Sequence, residues 1–243
     1  MSFVLIIGAN SDIAKAIAKE YIENGYDIYL AGRNIHALNL FSDELRSLSS
    51  RKVIVKELDI LDFSAHEKFY ANLNKKPIGV ISAVGYLGNQ DEASQNFIES
   101  EKIINTNFTG LVSLLNIISN DFVKRKQGFI VGISSLAGDR GRKSNYIYGS
   151  AKGAFTLYLS GLRNKLYSSN IHVMTVKPGF VNTQMTKGMI LPKILVSQPE
   201  KLAKNIYKAQ QKGKNILYSK LLWRILMAII LLLPESYFKK TNL

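Results

Sequence analysis

The sequence predicts one doubly wound α/β domain built on a single seven-stranded parallel sheet. Short β-branched runs alternate regularly with amphipathic stretches of helical period, the pattern of a parallel sheet with crossover helices. Most of the runs are near-continuous in apolar residues, as strands covered on both faces must be. A length of 243 residues gives room for one large core and not for a second domain of ordinary size.

Strands are expected at 3–7, 27–31, 52–58, 78–82, 128–133, 171–177 and 215–218, and helices near 12–24, 35–49, 64–75, 100–126, 146–168 and 198–212. The first run, Phe3-Val4-Leu5-Ile6-Ile7, has no basic segment before it, and Gly8 stops it far short of a signal peptide or a spanning helix. It is expected to open the sheet of a cytoplasmic protein. Right-handed crossovers put ligands beyond the carboxyl ends of the strands, so the residues that follow each strand are the functional candidates.

Composition narrows the chemistry. Apolar residues make up 47% and charged residues 21%, and cysteine is absent. That excludes disulfides, thiolate metal sites and cysteine nucleophiles, and His36, His66 and His172 are too scattered to form a metal centre. No metal is expected. Of the formal net charge of +14, residues 187–243 carry +9, with 11 Lys/Arg against Glu200 and Glu235. These cations surround the apolar run from Leu221 to Leu233 rather than polar aromatics, which favours an anionic membrane surface over nucleic acid.

After the first strand, Gly8-Ala9-Asn10-Ser11-Asp12-Ile13-Ala14 leads straight into a helix, so backbone N–H groups and a helix N-terminus face whatever binds there. That suits a pyrophosphate, although one glycine before a helix is also ordinary punctuation. At the end of the second strand stands Gly32-Arg33-Asn34, where a fold choosing NAD would place an acid for the ribose 2′-hydroxyl. A guanidinium there favours the 2′-phosphate of NADP; the alternative is a solvated surface charge. Asp59, after the third strand, either accepts a hydrogen bond from an adenine or caps the next turn.

Tyr148 and Lys152 are one helical turn apart, which puts phenol and ammonium on one face, where the cation is expected to lower the phenol's pKa. Ser134-Ser135 end the fifth strand and bring a hydroxyl to the same end of the sheet. Asn107, in an otherwise apolar helical stretch, is a buried amide in need of partners.

Together the Gly8-to-Ala14 loop, Asp59, Ser82-Ala83-Val84-Gly85, Asn107-Phe108-Thr109-Gly110, Ile133-Ser134-Ser135, Tyr148 with Lys152, and Lys177-Pro178-Gly179-Phe180-Val181-Asn182-Thr183 resemble the short-chain dehydrogenase/reductase superfamily, in family order over roughly residues 1–218. The resemblance implies a Rossmann fold and hydride transfer from NADPH, with NADP as product. Tyr148 would be the general acid toward a ketone oxygen, Lys152 would hold the nicotinamide ribose and tune Tyr148, Ser135 would position the carbonyl, and Asn107 would anchor a relay water. The implied cofactor-binding set is Gly8, Asn10, Ser11, Asp12, Ile13, Arg33, Asp59, Ala83, Gly85, Pro178, Val181 and Thr183, beside Tyr148 and Lys152. Thr183 and the Val181 backbone would take the carboxamide. The family's usual loop threonine is Ile7 here, its second glycine Asp12 and its third Ala14, and its Asn-Asn-Ala-Gly is Ser82-Ala83-Val84-Gly85. Asp12 should repel a pyrophosphate unless it turns away to cap the helix.

The Gly-Ala-x-Ser-Asp-Ile-Ala loop, the Ala83-Val84-Gly85-Tyr86-Leu87-Gly88 segment and the basic apolar tail resemble one branch, the ketoreductase subunits of decaprenylphosphoryl-ribose 2′-epimerases. That branch implies a polyprenyl-phosphate-linked keto-sugar of 2-keto-pentofuranose type as substrate and a flavoprotein oxidase as partner. The rivals are a soluble reductase of a small ketone or acyl thioester and a non-catalytic NADP(H)-sensing protein; homo-oligomerisation is left open. Residues 219–243 are expected to form an element distinct from the 1–218 reductase domain. Its nine uninterrupted apolar residues, Ile225 to Leu233, are too few to span a bilayer. An interfacial helix with peripheral association at the inner face of the membrane, a helix packed in the core, and a dimer seam all remain open.

Overall fold

The computed structural model describes residues 2–241. Seven parallel strands, β1 (Phe3–Ile7), β2 (Asp27–Gly32), β3 (Val53–Glu57), β4 (Gly79–Ser82), β5 (Phe129–Ile133), β6 (His172–Lys177) and β7 (Ile216–Tyr218), form one sheet in the order β3-β2-β1-β4-β5-β6-β7. The order reverses between β1 and β4, where Ile7 is in register with Ala31 on one side and Ser82 on the other. This is the switch point at which a doubly wound sheet opens its ligand crevice.

The continuous apolar runs are used on both faces. Val4 and Ile6 of β1 join a core with α1 (Asp12–Glu23), α2 (Ile35–Leu48) and α8 (Pro199–Gln211). Phe3, Leu5 and Ile7 point the other way, into a core with α6 (Gly110–Arg125) and α7 (Tyr146–Leu166). Period-2 side-chain alternation thus splits one apolar pentapeptide between two layers.

Two expected elements differ. The helix foreseen at 64–75 is a 3₁₀ turn, Phe63–Ala65, followed by α3 (His66–Ala71). The helix foreseen at 100–126 starts earlier, as α5 (Phe97–Ile104), and passes through a π-helical segment, Asn105–Thr109, before α6. Short α4 (Gln90–Gln95) is an additional helix outside the expected ones, and Asn89 caps it by accepting from the Asp91 and Glu92 amides.

The tail forms α9 (Leu221–Leu232) and α10 (Glu235–Phe238). Trp223, Met227, Ile230 and Phe238 are buried in a third cluster with Leu136, while Leu221, Leu222, Ile225, Ile229, Leu231 and Leu232 are exposed. The helix therefore packs one face on the domain and leaves the other bare. No helix among the described residues is long and apolar enough to cross a membrane.

Candidate active site

The residues that follow β1, β4, β5 and β6 meet around two adjoining cavities of ≈ 240 Å³ and ≈ 230 Å³, which share walls at Asn10, Ser11, Ala83, Val84 and Gly85. The first is lined by Ile13, Asp12, Ser135, Tyr148, Lys152, Pro178, Val181 and Thr183, the second by Gly8, Gly32 and Arg33. Of the predicted set, only Asp59 and Asn107 stand off the lining.

The β1–α1 loop is built tightly. Gly8 has φ +78°, and a Cβ there would sit 2.8 Å from the Val84 nitrogen. Only glycine satisfies both conditions. Ser11 caps α1, its Oγ accepting from the Ala14 amide at 3.2 Å, and Asn10 bridges to Asn34 in both directions, donating to its carbonyl at 3.1 Å and accepting from its amide at 3.3 Å. Asp12, the first residue of α1, binds outside its own helix: its Oδ2 accepts the Gln184 amide at 2.8 Å. The carboxylate is a clasp between the β1–α1 loop and the segment after β6, a different contact from the expected helix capping, and Asp12 stays on the lining of the first cavity.

Lys152 is buried, and its Nζ donates to the carbonyls of Val84 at 3.0 Å and Ile133 at 3.2 Å. Burial pulls its pKa down to about 7. The same burial pushes Tyr148 up to about 12, with the Ser135 hydroxyl working the other way through a hydrogen bond. The expected lowering of Tyr148 by Lys152 is therefore overruled: the ammonium is 5.9 Å from the ring centroid, and desolvation of both groups dominates. Ser135 is shaped by its own turn, its Oγ accepting from the Ala137 amide at 3.1 Å. Its neighbour Ser134 is structural, donating to the Lys152 carbonyl at 2.9 Å and meeting Thr156 Oγ1 at 2.6 Å.

Two predicted site residues do other work. Asp59 is exposed and accepts the Leu61 amide at 3.0 Å, so it caps the turn after β3 rather than facing the cleft. Asn107 is fully buried in the π-helical segment. It spends both amide hydrogens on the carbonyls of Tyr86 at 2.6 Å and Ile103 at 2.8 Å, and accepts the Tyr86 amide at 3.2 Å. It fixes the chain after Gly85, with only one Oδ1 lone pair left for a water.

The short chain dehydrogenase family model matches residues 2–191. The chain belongs to the short-chain dehydrogenase family. With that family it joins the NAD(P)-dependent oxidoreductases. An uncharacterized oxidoreductase of Mycobacterium tuberculosis is 32% identical over 240 residues, covering 98% of this dehydrogenase and 96% of the relative. An NADP-dependent 3-hydroxy acid dehydrogenase of Salmonella typhi is 28% identical over 182 residues, covering 73% and 72%. Among solved structures, a short-chain dehydrogenase from Sphingobium yanoikuyae in complex with NADPH superposes with a TM-score of 0.83 at 23% identity, covering 97% of this dehydrogenase and 98% of that chain.

The cleft fits a dinucleotide. The Gly8 turn brings backbone against backbone at the switch point, the α1 N-terminus opens onto the junction of the two cavities, and Arg33 lines the second. The sequence reading missed Gln184, Met185 and Thr186, which line the first cavity, and Tyr86, Lys102 and Thr106, which line the second. The rule that ligands sit just after strands would have found Tyr86 and the 184–186 segment. Lys102 and Thr106 lie on the helical stretch after α4, and no motif marks them.

Proposed function

We infer that this dehydrogenase is an NADPH-dependent ketoreductase that reduces a keto group of a polyprenyl-phosphate-linked sugar, of 2-keto-pentofuranose type, at the cytoplasmic face of the membrane. The convergence of Ser135, Tyr148 and Lys152 on one cavity adjoining the β1–α1 loop carries the reductase part. NADPH is favoured over NADH because the end of β2 offers Arg33 and no acid, and the guanidinium matches a phosphate. The Sphingobium protein and an actinorhodin polyketide ketoreductase, of TM-score 0.81, both carry NADPH.

When bound, the nicotinamide supplies hydride to the carbonyl carbon. Tyr148, kept protonated by burial, gives its hydroxyl proton to the carbonyl oxygen as that oxygen gains charge. Ser135, hydrogen-bonded to the phenol, orients the same oxygen. Lys152 is held by two backbone carbonyls on the lining of the same cavity, from which it would hold a ribose hydroxyl of the bound cofactor and pass a proton toward Tyr148. Gly8, Ser11 and the first turn of α1 would take the pyrophosphate, and Pro178, Val181 and Thr183, which line the first cavity, would hold the carboxamide.

The lipid-linked substrate rests on the branch resemblance, on the bare apolar face of α9 and on the cations Lys220, Arg224, Lys239 and Lys240 around it. A flavoprotein that oxidises the sugar hydroxyl would supply the ketone. The test is NADPH oxidation by detergent-solubilised protein given a prenyl-phosphoryl 2-keto-pentofuranose, beside the same keto-sugar without lipid. Turnover of the lipid-linked ketone alone is expected. Turnover of the soluble ketone alone would return the protein to reductases of small ketones, and NADPH binding without turnover of either would favour a sensing role.

A further inference from the structure

The tail does more than cover one side of the domain. Its buried face meets both walls of the nicotinamide end of the cleft, and Arg140 is where it is fastened. Arg140 lies in the loop between β5 and α7, five residues after Ser135. Its side chain is only 14% exposed. The guanidinium stacks on Phe238 with its carbon 3.7 Å from the ring centroid, pairs with Glu235 at 3.0 Å and donates to the Ile230 carbonyl. That carbonyl lies in the last turn of α9, where it also accepts the Leu233 amide and where a cation complements the helix dipole. A planar cation with several donors is the side chain able to make these three contacts together.

The loop so fastened is catalytic. Leu136, next to Ser135, is buried against Trp223, Met227, Ile230 and Phe238. Its amide donates to the Pro178 carbonyl at 3.1 Å, and Asp139, next to Arg140, takes Lys177 at 2.5 Å in a pair that is nearly buried on both sides. On the other wall, Trp223 lies so close over Gly179 that a Cβ there would fall 2.2 Å from the indole, and Ser219 Oγ accepts the Gly179 amide at 3.1 Å.

We propose that Arg140 is a positioning residue of this reductase: by clamping α9 and α10 onto the loop after β5, it holds the Ser135 hydroxyl in register with Tyr148. The proposal rests on the ketoreductase reading and deepens it. The tail becomes a working part of the catalytic end.

The test uses the full-length protein. Amide exchange of Leu136, Gly138 and Asp139, whose N–H groups are all bonded, should rise about tenfold or more in Arg140→Ala while exchange in β1 and β4 stays as in the unaltered chain. Arg140→Lys keeps the charge but not the flat stack on Phe238, so it should fall between the two and guards against simple misfolding. Uniform acceleration across the sheet, or none in the loop, would overturn the clamp. In ketone reduction, Arg140→Ala should lower kcat about 10- to 100-fold with KM for NADPH within about threefold. The same change made on a Ser135→Ala background should cost little more, because residues acting through one another are not additive. Equal losses on both backgrounds would make Arg140 merely structural. Should Tyr148→Phe keep full turnover, the reductase reading fails instead, and the exchange data still decide the clamp.

Discussion

Burial drives Tyr148 and Lys152 in opposite directions, and the two shifts give separate tests. The phenol is held protonated well above neutral pH, which suits a proton donor in the direction of reduction. Tyr148→Phe should therefore abolish turnover by about 100-fold or more, with NADPH affinity preserved because the cleft keeps its shape; unchanged kcat would remove Tyr148 from the mechanism. For Lys152 the folded pKa of about 7 lies below the ordinary 10.5. The unfolded chain then binds more protons between those values, so the cost of burying the ammonium is present in full below about pH 7 and is relieved as pH rises toward 10.5. The urea midpoint of the protein should climb across that window, and Lys152→Met should flatten the climb. A slope shared by both would show that other groups set it. Arg33 gives a third test. Arg33→Ala should raise the Kd for NADPH by about tenfold or more while leaving NADH nearly unchanged, as loss of a charge-assisted phosphate contact requires. Equal losses in calorimetric titrations would make it a bystander.

Elements differ in how far the sequence alone reveals them. The strands were legible because short apolar runs such as Phe3–Ile7, stopped by Gly8, leave few other readings, and Tyr148 with Lys152 was legible because a helix converts spacing into a shared face. Asp12 was not. Its partner is the amide of Gln184, 172 residues away, and no local pattern reveals so distant a contact. The buried face of α9 was hidden for a related reason. Trp223, Met227 and Ile230 recur at helical spacing, but the helix is apolar nearly all round, so its partners decide which side packs. One partner is Gly179, which has no room for a methyl group beneath Trp223. Gly179→Ala should thus destabilise the protein by about 1–3 kcal/mol, the usual cost of overpacking. Urea unfolding would detect it, and Trp223→Leu should recover part of the loss. An unchanged midpoint for Gly179→Ala would mean that α9 sits more loosely than its contacts indicate. Because α9 holds this segment, deleting 219–243 would disturb the cleft as well as any membrane contact, so substitutions on its outer face make the cleaner probe.

At the scale of the whole molecule, charge and apolar surface lie on the same region of the chain. Residues 187–243 carry +9 of the net +14, and the same segment exposes Leu221, Leu222, Ile225, Ile229, Leu231 and Leu232 on one helix. Buried apolar area and attraction to anionic head groups add in interfacial binding, but only the second is screened by salt. With a Debye length of about 10 Å at 0.1 M salt and about 3 Å at 1 M, the electrostatic part should vanish over that range and leave an apolar remainder. Sedimentation with vesicles containing phosphatidylglycerol should therefore show strong binding at low salt that falls to a plateau above zero, and phosphatidylcholine vesicles should give the plateau alone. Ile225→Glu with Ile229→Glu, both on the outer face of α9, should remove the plateau while leaving NADPH affinity intact. Lys239→Glu with Lys240→Glu should instead reduce the salt-dependent part. Absence of binding to either vesicle, with the outer face of α9 shielded in a dimer by light scattering and cross-linking, would assign that face to a second copy of the chain and withdraw the membrane from the functional reading.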